Sequence, residues 1–180
     1  MEYYPLINKL NDEPNWYVII TRSRAEKKVA DLLVNEGYET YLPLTTQWRQ
    51  WSDRKKKVTI PLIPSVVFVR TYEKKLSHIV RLENIVRTLY FLGKPAVVRV
   101  DEIDTLRQLS SGGAMIQKIN PVDLCFGEEV EIMRGPLAGI KAKFLNHQGK
   151  YKIIVLIETT GSYFQLEVAL NNIQKLNISA

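Results

Sequence analysis

The sequence predicts an α+β protein in which a split βαβ domain, an antiparallel sheet with helices on one side, precedes a small five-stranded β-barrel. Two observations support this prediction. A strand, a helix and a second strand follow one another between Trp16 and Leu42. Beyond a Ser-Ser-Gly-Gly segment that begins at Ser110, the apolar residues recur in short alternating runs, which are typical of a barrel.

The first strand is predicted over residues 16–21, where aromatic and β-branched residues predominate. Ser23 and Glu26 follow with the spacing of a capping box, in which each side chain binds a backbone amide at the start of a helix. Apolar residues then recur at helical spacing. The sequence therefore predicts a helix that Ser23 caps and that Gly37 ends, because glycine tolerates positive φ.

A protruding β-hairpin is predicted between Thr45 and Ile60, with Ser52-Asp53 as its turn. Cations and tryptophans are interleaved near its tip: Trp48, Arg49, Trp51, Arg54, Lys55, Lys56 and Lys57. The cations would attract phosphate and the rings offer stacking surfaces, so we expect this tip, together with Arg22 and Arg24, to bind nucleic acid. In the alternative interpretation the charges are only solvated and the tryptophans cap the core.

The elements after the hairpin complete the first domain. An apolar strand is predicted over residues 66–69, a short helix follows, and two further strands flank a turn at Gly93-Lys94-Pro95. A third helix is predicted with Asp101 as its N-cap and Asp104 at its third position.

Changes in composition predict where the domains end. The expected organisation is a tail at 1–14, a first domain at 15–110, a linker at 111–122 and a barrel domain at 123–180. The net charge is +6, yet residues 121–180 hold six cations and six anions, so the whole surplus lies in residues 1–120. A basic first domain and a neutral second one suggest two kinds of partner.

Several functional classes are disfavoured by what the sequence lacks. No apolar run has the length of a transmembrane helix, and the first 14 residues lack the order of a signal peptide, so we expect a cytoplasmic protein without membrane contact. Cys125 is the only cysteine, and His78 and His147 fall in different predicted domains. With no nucleophile–base set, metal-ligand cluster or phosphate-binding loop, we expect no enzymatic activity, cofactor or metal.

Several segments resemble a known family. Trp16-Tyr17-Val18, residues 58–69 and the Gly93-Lys94-Pro95 turn resemble the N-terminal domain of NusG. A sequence similar to the KOW motif that opens the NusG C-terminal barrel contains Gly127, Gly135, Pro136, Leu137, Ala138 and Gly139. Residues 41–44 and 49–56 are similar to the specialised RfaH-like and UpxY-like antiterminators, and the latter serve capsular polysaccharide operons.

This resemblance implies a transcription elongation factor. In the family, the N-terminal domain binds the clamp helices of RNA polymerase, and the barrel recruits other factors, such as Rho or a small-subunit ribosomal protein. The polymerase-binding positions would fall here on Trp16 or Tyr17, Ile63, Pro64, Val66 and Phe68. The hairpin would reach toward non-template DNA or nascent RNA.

Two positions depart from the family pattern. Ile63-Pro64-Ser65-Val66 stands where the family has Phe-Pro-Gly-Tyr, so two aromatic contacts become aliphatic. Ala142 stands where a glycine is expected after the KOW turn, which suggests an altered barrel edge or partner preference.

The alternative function is an RNA-binding or ribosome-associated module, because a split βαβ sheet with surface aromatics can bind RNA by stacking. Exposed, coplanar rings of Trp16, Tyr17 and Phe68 beside the two arginines at 22 and 24 would favour nucleotides. An apolar concavity would favour a protein helix. Ordinary core packing is the remaining interpretation of Trp16 and Tyr17, since alternate residues of a strand face opposite sides.

Overall fold

The computed structural model describes residues 13–50, 55–111, 116–119, 128–147 and 150–176. The chain divides into two compact units, one of residues 1–42 and 64–98 and the other of residues 43–63 and 99–180. Residues 43–63, which contain the predicted hairpin, and the third helix belong to the second of these units. Helices occur with antiparallel sheets, as the α+β prediction specifies.

The elements occur in this order along the chain: β1 (Asn15–Thr21), α1 (Glu26–Asn35), β2 (Glu39–Tyr41), β3 (Leu44–Gln50), β4 (Lys55–Pro61), β5 (Val66–Thr71), α2 (Leu76–Ile79), β6 (Ile85–Thr88), β7 (Tyr90–Phe91), β8 (Lys94–Pro95), β9 (Val97–Val98), α3 (Val100–Ser111), β10 (Ile116–Ile119), β11 (Glu129–Ile132), β12 (Lys141–His147), β13 (Lys150–Ile157), β14 (Ser162–Glu167) and β15 (Ile173–Lys175). Short 3-10 turns at Glu73–Lys75, Glu158–Thr160 and Leu170–Asn172 join some of them.

The sheet of the first unit is built around β1. Its strand order is β2-β5-β1-β6, and β9 also pairs with β1. One face carries a core cluster in which Tyr17 and Ile19 of β1 pack with Val29 and Leu33 of α1 and with Ile79 of α2. The helices α1 and α2 therefore cover the same face of this sheet, because their apolar stripes have a common partner.

The capping box predicted for α1 does not form. The helix begins at Glu26, its N-cap is Ala25, and no side chain caps it. The Glu26 carboxylate instead accepts a hydrogen bond of 2.7 Å from the backbone N–H of Ser65. Glu26 is 6% exposed, so it pairs with a distant amide that would be costly to leave unsatisfied, whereas the predicted partner Ser23 stays exposed.

The predicted start of α3 is also wrong. Asp101 lies inside the first turn instead of at the N-cap, and its carboxylate accepts a hydrogen bond of 2.9 Å from the Glu102 N–H. The Glu102 carboxylate reaches back to the Arg99 N–H at 3.2 Å. Glu102, not Asp104, thus makes the reciprocal half of a capping box, because α3 begins two residues earlier than predicted.

The second unit contains a six-stranded antiparallel sheet of order β10-β14-β13-β12-β11-β15, where the sequence predicts five strands. The additional strand, β10, lies within the predicted linker. It pairs with β14 from Ile116 opposite Leu166 to Ile119 opposite Tyr163. These residues join the sheet because the edge of β14 offers backbone partners along its length. The predicted hairpin forms as the separate pair β3–β4.

Candidate functional site

The apolar positions assigned to polymerase contact lie on different faces of the first sheet. Trp16, Val66 and Phe68 share the face opposite α1 and α2, since side chains alternate along a strand and these three fall on the same side of the β1–β5 register. Their exposures are 4%, 7% and 0%. The Tyr41 ring lies 6.3 Å from the Phe68 ring. We call this second face the apolar sheet face, and the side chains of Trp16, Val66 and Phe68 on it are buried.

Tyr17 belongs to the helix-covered face. It is 1% exposed and is a member of the core cluster. Burial raises the pKa of the Tyr17 hydroxyl above its usual value, the negative charge of Glu73 raises it further, and a hydrogen bond with Asn15 acts in the opposite direction. Of the two alternatives left open by the sequence, Trp16 therefore lies on the apolar sheet face and Tyr17 in the core.

The segment between β4 and β5 carries the remaining apolar positions. Ile63 is buried, whereas Pro64 is exposed. Ser65 has a φ of 60°, in the left-handed region that favours glycine, which accounts for the glycine of the family pattern at this position. Its carbonyl accepts a hydrogen bond of 2.9 Å from the Thr21 N–H. With the Glu26 contact, this bond ties the segment to both β1 and α1.

Three loops of the first unit meet at the end of β1. The Arg22 N–H donates to the Asn84 carbonyl at 2.9 Å, beside the bond that joins Thr21 to Ser65. Each loop contains a non-glycine residue with positive φ, namely Arg24 at 63°, Ser65 at 60° and Asn84 at 64°. Arg22 and Arg24 are exposed there, so both predicted nucleic-acid-binding arginines lie on a backbone-constrained surface.

The β3–β4 hairpin carries the other predicted nucleic-acid-binding residues. Lys56 and Lys57 of β4 are exposed and lie opposite Arg49 and Trp48 of β3 in the strand register. Trp51 and Arg54 lie outside the described residues, as do the side chains of Trp48, Arg49 and Lys55. The two described lysines provide adjacent positive charges on one strand, which an anionic partner can approach.

The glycine-rich turn predicted between β11 and β12 is present. Gly135 and Gly139 have φ values of 92° and 86°, which only glycine adopts readily. The Ala138 N–H donates to the Gly135 carbonyl at 3.1 Å, which closes the turn. The other predicted positions differ in accessibility: Leu137 is buried, Pro136 is exposed and Gly127 lies outside the described residues.

The contacts between α3 and the second sheet have no signal in the sequence. Glu102 is 4% exposed and accepts hydrogen bonds from the Thr159 N–H at 3.0 Å and from the Thr159 hydroxyl at 2.6 Å. Arg99 forms an ion pair of 2.9 Å with Glu158, and hydrogen bonds to Glu158 and then to Asp101 raise the pKa of Arg99. These partners lie more than 50 residues apart in the chain, so no local pattern links them.

Metal and membrane sites find no support in the described part of the chain. No group of three or more His, Cys, Asp and Glu side chains in those ranges could hold a metal ion. None of the helices described there is long and apolar enough to cross a membrane. His78 lies on the surface, with its Nε2 atom 4.0 Å from Oε2 of Glu36. Cys125 and the His147 side chain lie outside the described residues.

Comparisons with known proteins identify the family. A family model described as transcription termination factor nusG matches residues 14–107. A structure that describes domain interaction in Thermotoga maritima NusG aligns with a TM-score of 0.58 and 16% identity, over 92% of this chain and 98% of that one. This alignment shows a similar fold. A comparison with curated proteins gave no match.

Two structures of the MjSpt4:Spt5 complex, in conformations A and B, align with TM-scores of 0.31 and 0.33. Each is 15% identical and covers 89% of this chain, over 97% and 96% of the respective matched chains. These scores are too low to bear on the fold. The family model nevertheless spans more than half of the sequence, and the chain therefore belongs to the NusG family of transcription factors.

Proposed function

We propose that this chain is a cytoplasmic transcription elongation and antitermination factor of the RfaH-like or UpxY-like kind. A first domain of residues 15–110 would bind the clamp helices of RNA polymerase. A KOW barrel of residues 123–180 would recruit Rho or a small-subunit ribosomal protein. Likeness to the UpxY-like proteins points to capsular polysaccharide operons as the genes served.

The apolar sheet face is the observation that supports polymerase binding most directly. Trp16, Val66 and Phe68 lie together on it, which suits the apolar stripe of a partner helix. All three are buried in this structure. Polymerase binding through this face therefore requires that these side chains become exposed.

Two neighbouring valines of β5 give a matched test of this surface. Val66 lies on the apolar sheet face and Val67 in the helix-side core, and both are buried. Val66→Ala and Val67→Ala remove the same atoms, so both should lower stability by about 1–2 kcal/mol. Only Val66→Ala should also weaken binding to purified RNA polymerase, by roughly three- to tenfold. Equal affinities for the two variants would contradict the assignment of this face.

The exposed lysines of β4 support a nucleic-acid contact by the β3–β4 hairpin. Lys56 and Lys57 are successive strand residues, so their side chains point to opposite faces of the hairpin. Each phosphate contact on a single strand releases about 0.7 counterion, so a Lys56→Glu/Lys57→Glu variant should flatten the log–log salt slope of DNA binding by about 0.7 if one lysine contacts phosphate and by about 1.4 if both do. The exposed pair Lys74 and Lys75 provides the control, since reversing it makes the same change in net charge elsewhere. If both double variants have the same slope, the hairpin makes no specific phosphate contact.

The second candidate is an RNA-binding or ribosome-associated protein. Stacking of bases on the sheet would favour it, yet Trp16 and Phe68 are buried instead of presented as open rings. Their burial opposes base stacking and polymerase contact through this face equally. The match to a transcription factor family over residues 14–107 is what favours the polymerase proposal. RNA binding by the wild-type chain without any binding to polymerase would make the RNA-binding function the better supported of the two proposals.

A further inference from the structure

The hairpin formed by β7 and β8 ends in three consecutive exposed apolar side chains. Tyr90, Phe91 and Leu92 are 56%, 70% and 87% exposed, and we call these three residues the hairpin tip. Contiguous apolar side chains at a protruding position are unusual on a protein surface and commonly mark a binding site.

The backbone of the hairpin tip is unfavourable for the residue that occupies it. Phe91 pairs with Lys94, which leaves Leu92 and Gly93 as a two-residue turn. Both have positive φ, at 49° and 77°, as in a type I′ turn. Asparagine followed by glycine is preferred in this turn, and leucine is disfavoured in the left-handed region. Leu92 therefore exposes an apolar side chain to solvent and also adopts a backbone conformation that leucine disfavours. Neither feature stabilises the fold, which suggests that Leu92 has a role in binding.

The base of the hairpin is anchored to the centre of the first sheet. Both β6 and β9 pair with β1, so β7 and β8 form an excursion between two strands on the same side of β1. The Leu89 N–H donates to the Val18 carbonyl at 2.9 Å, and the Ala96 N–H donates to the Leu89 carbonyl at 2.9 Å. A short hairpin held in this way presents its tip in one position, which lowers the entropic cost of binding.

The charges around the hairpin tip indicate what it fits. Residues 85–98 contain two cations, Arg87 and Lys94, and no acidic residue. Both cations are exposed. An apolar tip with positive flanks is complementary to an apolar pocket that has carboxylates on its rim.

The order of the two rings favours a protein partner over nucleic acid. Tyr90 and Phe91 are successive residues of β7, so their side chains point to opposite faces of the hairpin. They cannot form one platform on which consecutive bases stack. Phe91 and Leu92 are the two most exposed of the three, at 70% and 87%, and a single exposed aromatic or aliphatic side chain at a turn can fill a pocket at the centre of a protein interface.

We propose that the hairpin tip is a protein contact additional to the apolar sheet face, inserted into an acid-rimmed apolar pocket of RNA polymerase. This inference rests on the proposed function and names a further surface for the same partner. It assigns binding to residues that the family resemblance did not mark.

The test compares the affinities of full-length variants for purified RNA polymerase elongation complexes. Phe91→Ser should weaken binding about tenfold or more, as loss of an aromatic anchor does. Leu92→Asn should weaken binding several-fold while raising Tm by about 2–4 °C, because asparagine relieves the unfavourable φ. Val34, an exposed apolar residue of α1, supplies the control, and Val34→Asn should change affinity less than twofold.

Each result decides between the inference and the proposed function. If the wild-type chain does not bind polymerase, both are overturned. If it binds, and Phe91→Ser and Leu92→Asn bind equally well, only the inference is overturned. A lower Tm for Leu92→Asn would show that Leu92 stabilises the fold, and this result would also overturn the inference. A photocrosslinker placed at Leu92 should react with a polymerase subunit, and reaction with DNA or RNA alone would contradict the inference.

Discussion

The two units of the chain each bury a glutamate in the first turn of a helix, but the two carboxylates accept different numbers of hydrogen bonds. Glu26 of α1 and Glu102 of α3 are 6% and 4% exposed. Each accepts a hydrogen bond from a distant backbone amide, that of Ser65 in the first unit and that of Thr159 in the second. Only Glu102 also binds an amide at the start of its own helix, that of Arg99.

This comparison shows that a first-turn glutamate can join distant segments, cap its own helix, or do both. Removal of a buried acceptor leaves each of its donors unpaired, and the cost grows with the number of donors. Glu26 has one donor, whereas Glu102 has two amides and the Thr159 hydroxyl. The second unit should therefore depend more strongly on its glutamate than the first.

Glu102→Ala should produce the largest loss, about 3 kcal/mol in the free energy of unfolding, because it leaves three donors without their acceptor. Denaturant-induced unfolding of the full chain measures this loss. Asp104→Ala is the control, since Asp104 forms an exposed pair with Arg107 in the same helix and should cost less than about 1 kcal/mol. Equal losses for the two variants would show that the hydrogen bonds of the buried Glu102 carboxylate contribute no more to stability than an exposed ion pair.

Glu26→Ala should cost about 2 kcal/mol, because one buried amide loses a charged acceptor. Hydrogen exchange of the Ser65 amide should also become faster, since that bond joins the β4–β5 segment to α1. Glu36→Ala, at the exposed other end of α1, should change stability by less than about 0.5 kcal/mol. Unchanged exchange at Ser65 would mean that Glu26 does not hold this segment.

Ser65→Gly should stabilise the first unit slightly, by about 0.5 kcal/mol. Glycine removes the cost of positive φ, roughly 1–2 kcal/mol, but most of this gain is offset by the greater freedom of the unfolded chain, about 0.4–1 kcal/mol. Thermal unfolding beside Ser23→Gly, at an exposed loop position, measures the difference. A loss of stability in Ser65→Gly would show that the Ser65 side chain makes a contact that outweighs its backbone strain.

The smallest effect concerns Tyr17, whose pKa is raised above 10.0, mainly by burial. Folding therefore favours the protonated hydroxyl. The resulting stability is fully present below pH 10 and is lost as pH rises through the higher pKa of the folded state. Between pH 9 and pH 11, the wild-type chain should lose more stability than Tyr17→Phe, in which all the other groups still titrate. Parallel pH profiles would contradict this prediction.

Local patterns predicted the parts of the fold whose causes lie close together in the chain. The apolar stripe of α1 places Val29 and Leu33 in the core, as its periodicity indicates. The turn from Gly135 to Gly139 forms because its glycines accept positive φ without cost. The β3–β4 hairpin forms with its exposed lysines on β4, although its predicted turn lies outside the described residues.

The candidate site could be predicted only in part. The sequence placed Trp16, Val66 and Phe68 among the apolar candidates, but it left Trp16 and Tyr17 as alternatives. The strand register resolves this choice, since it puts Tyr17 under α1 and Trp16 on the other face. The sequence did not predict the hairpin tip as a site. The exposure of its three apolar side chains depends on how the surrounding sheet is built, and the local sequence of apolar residues does not reveal it.

The sequence by itself determined the α+β composition, the positions of most strands and the excess of positive charge in residues 1–120. Only the tertiary structure decided which donors Glu26 and Glu102 satisfy, and that β10 joins β14 instead of remaining a linker. Periodicity and turn chemistry act between neighbours in the chain, so they can be inferred locally. A buried carboxylate or a free strand edge, by contrast, takes whichever backbone partner folding brings beside it, and no local pattern specifies that partner.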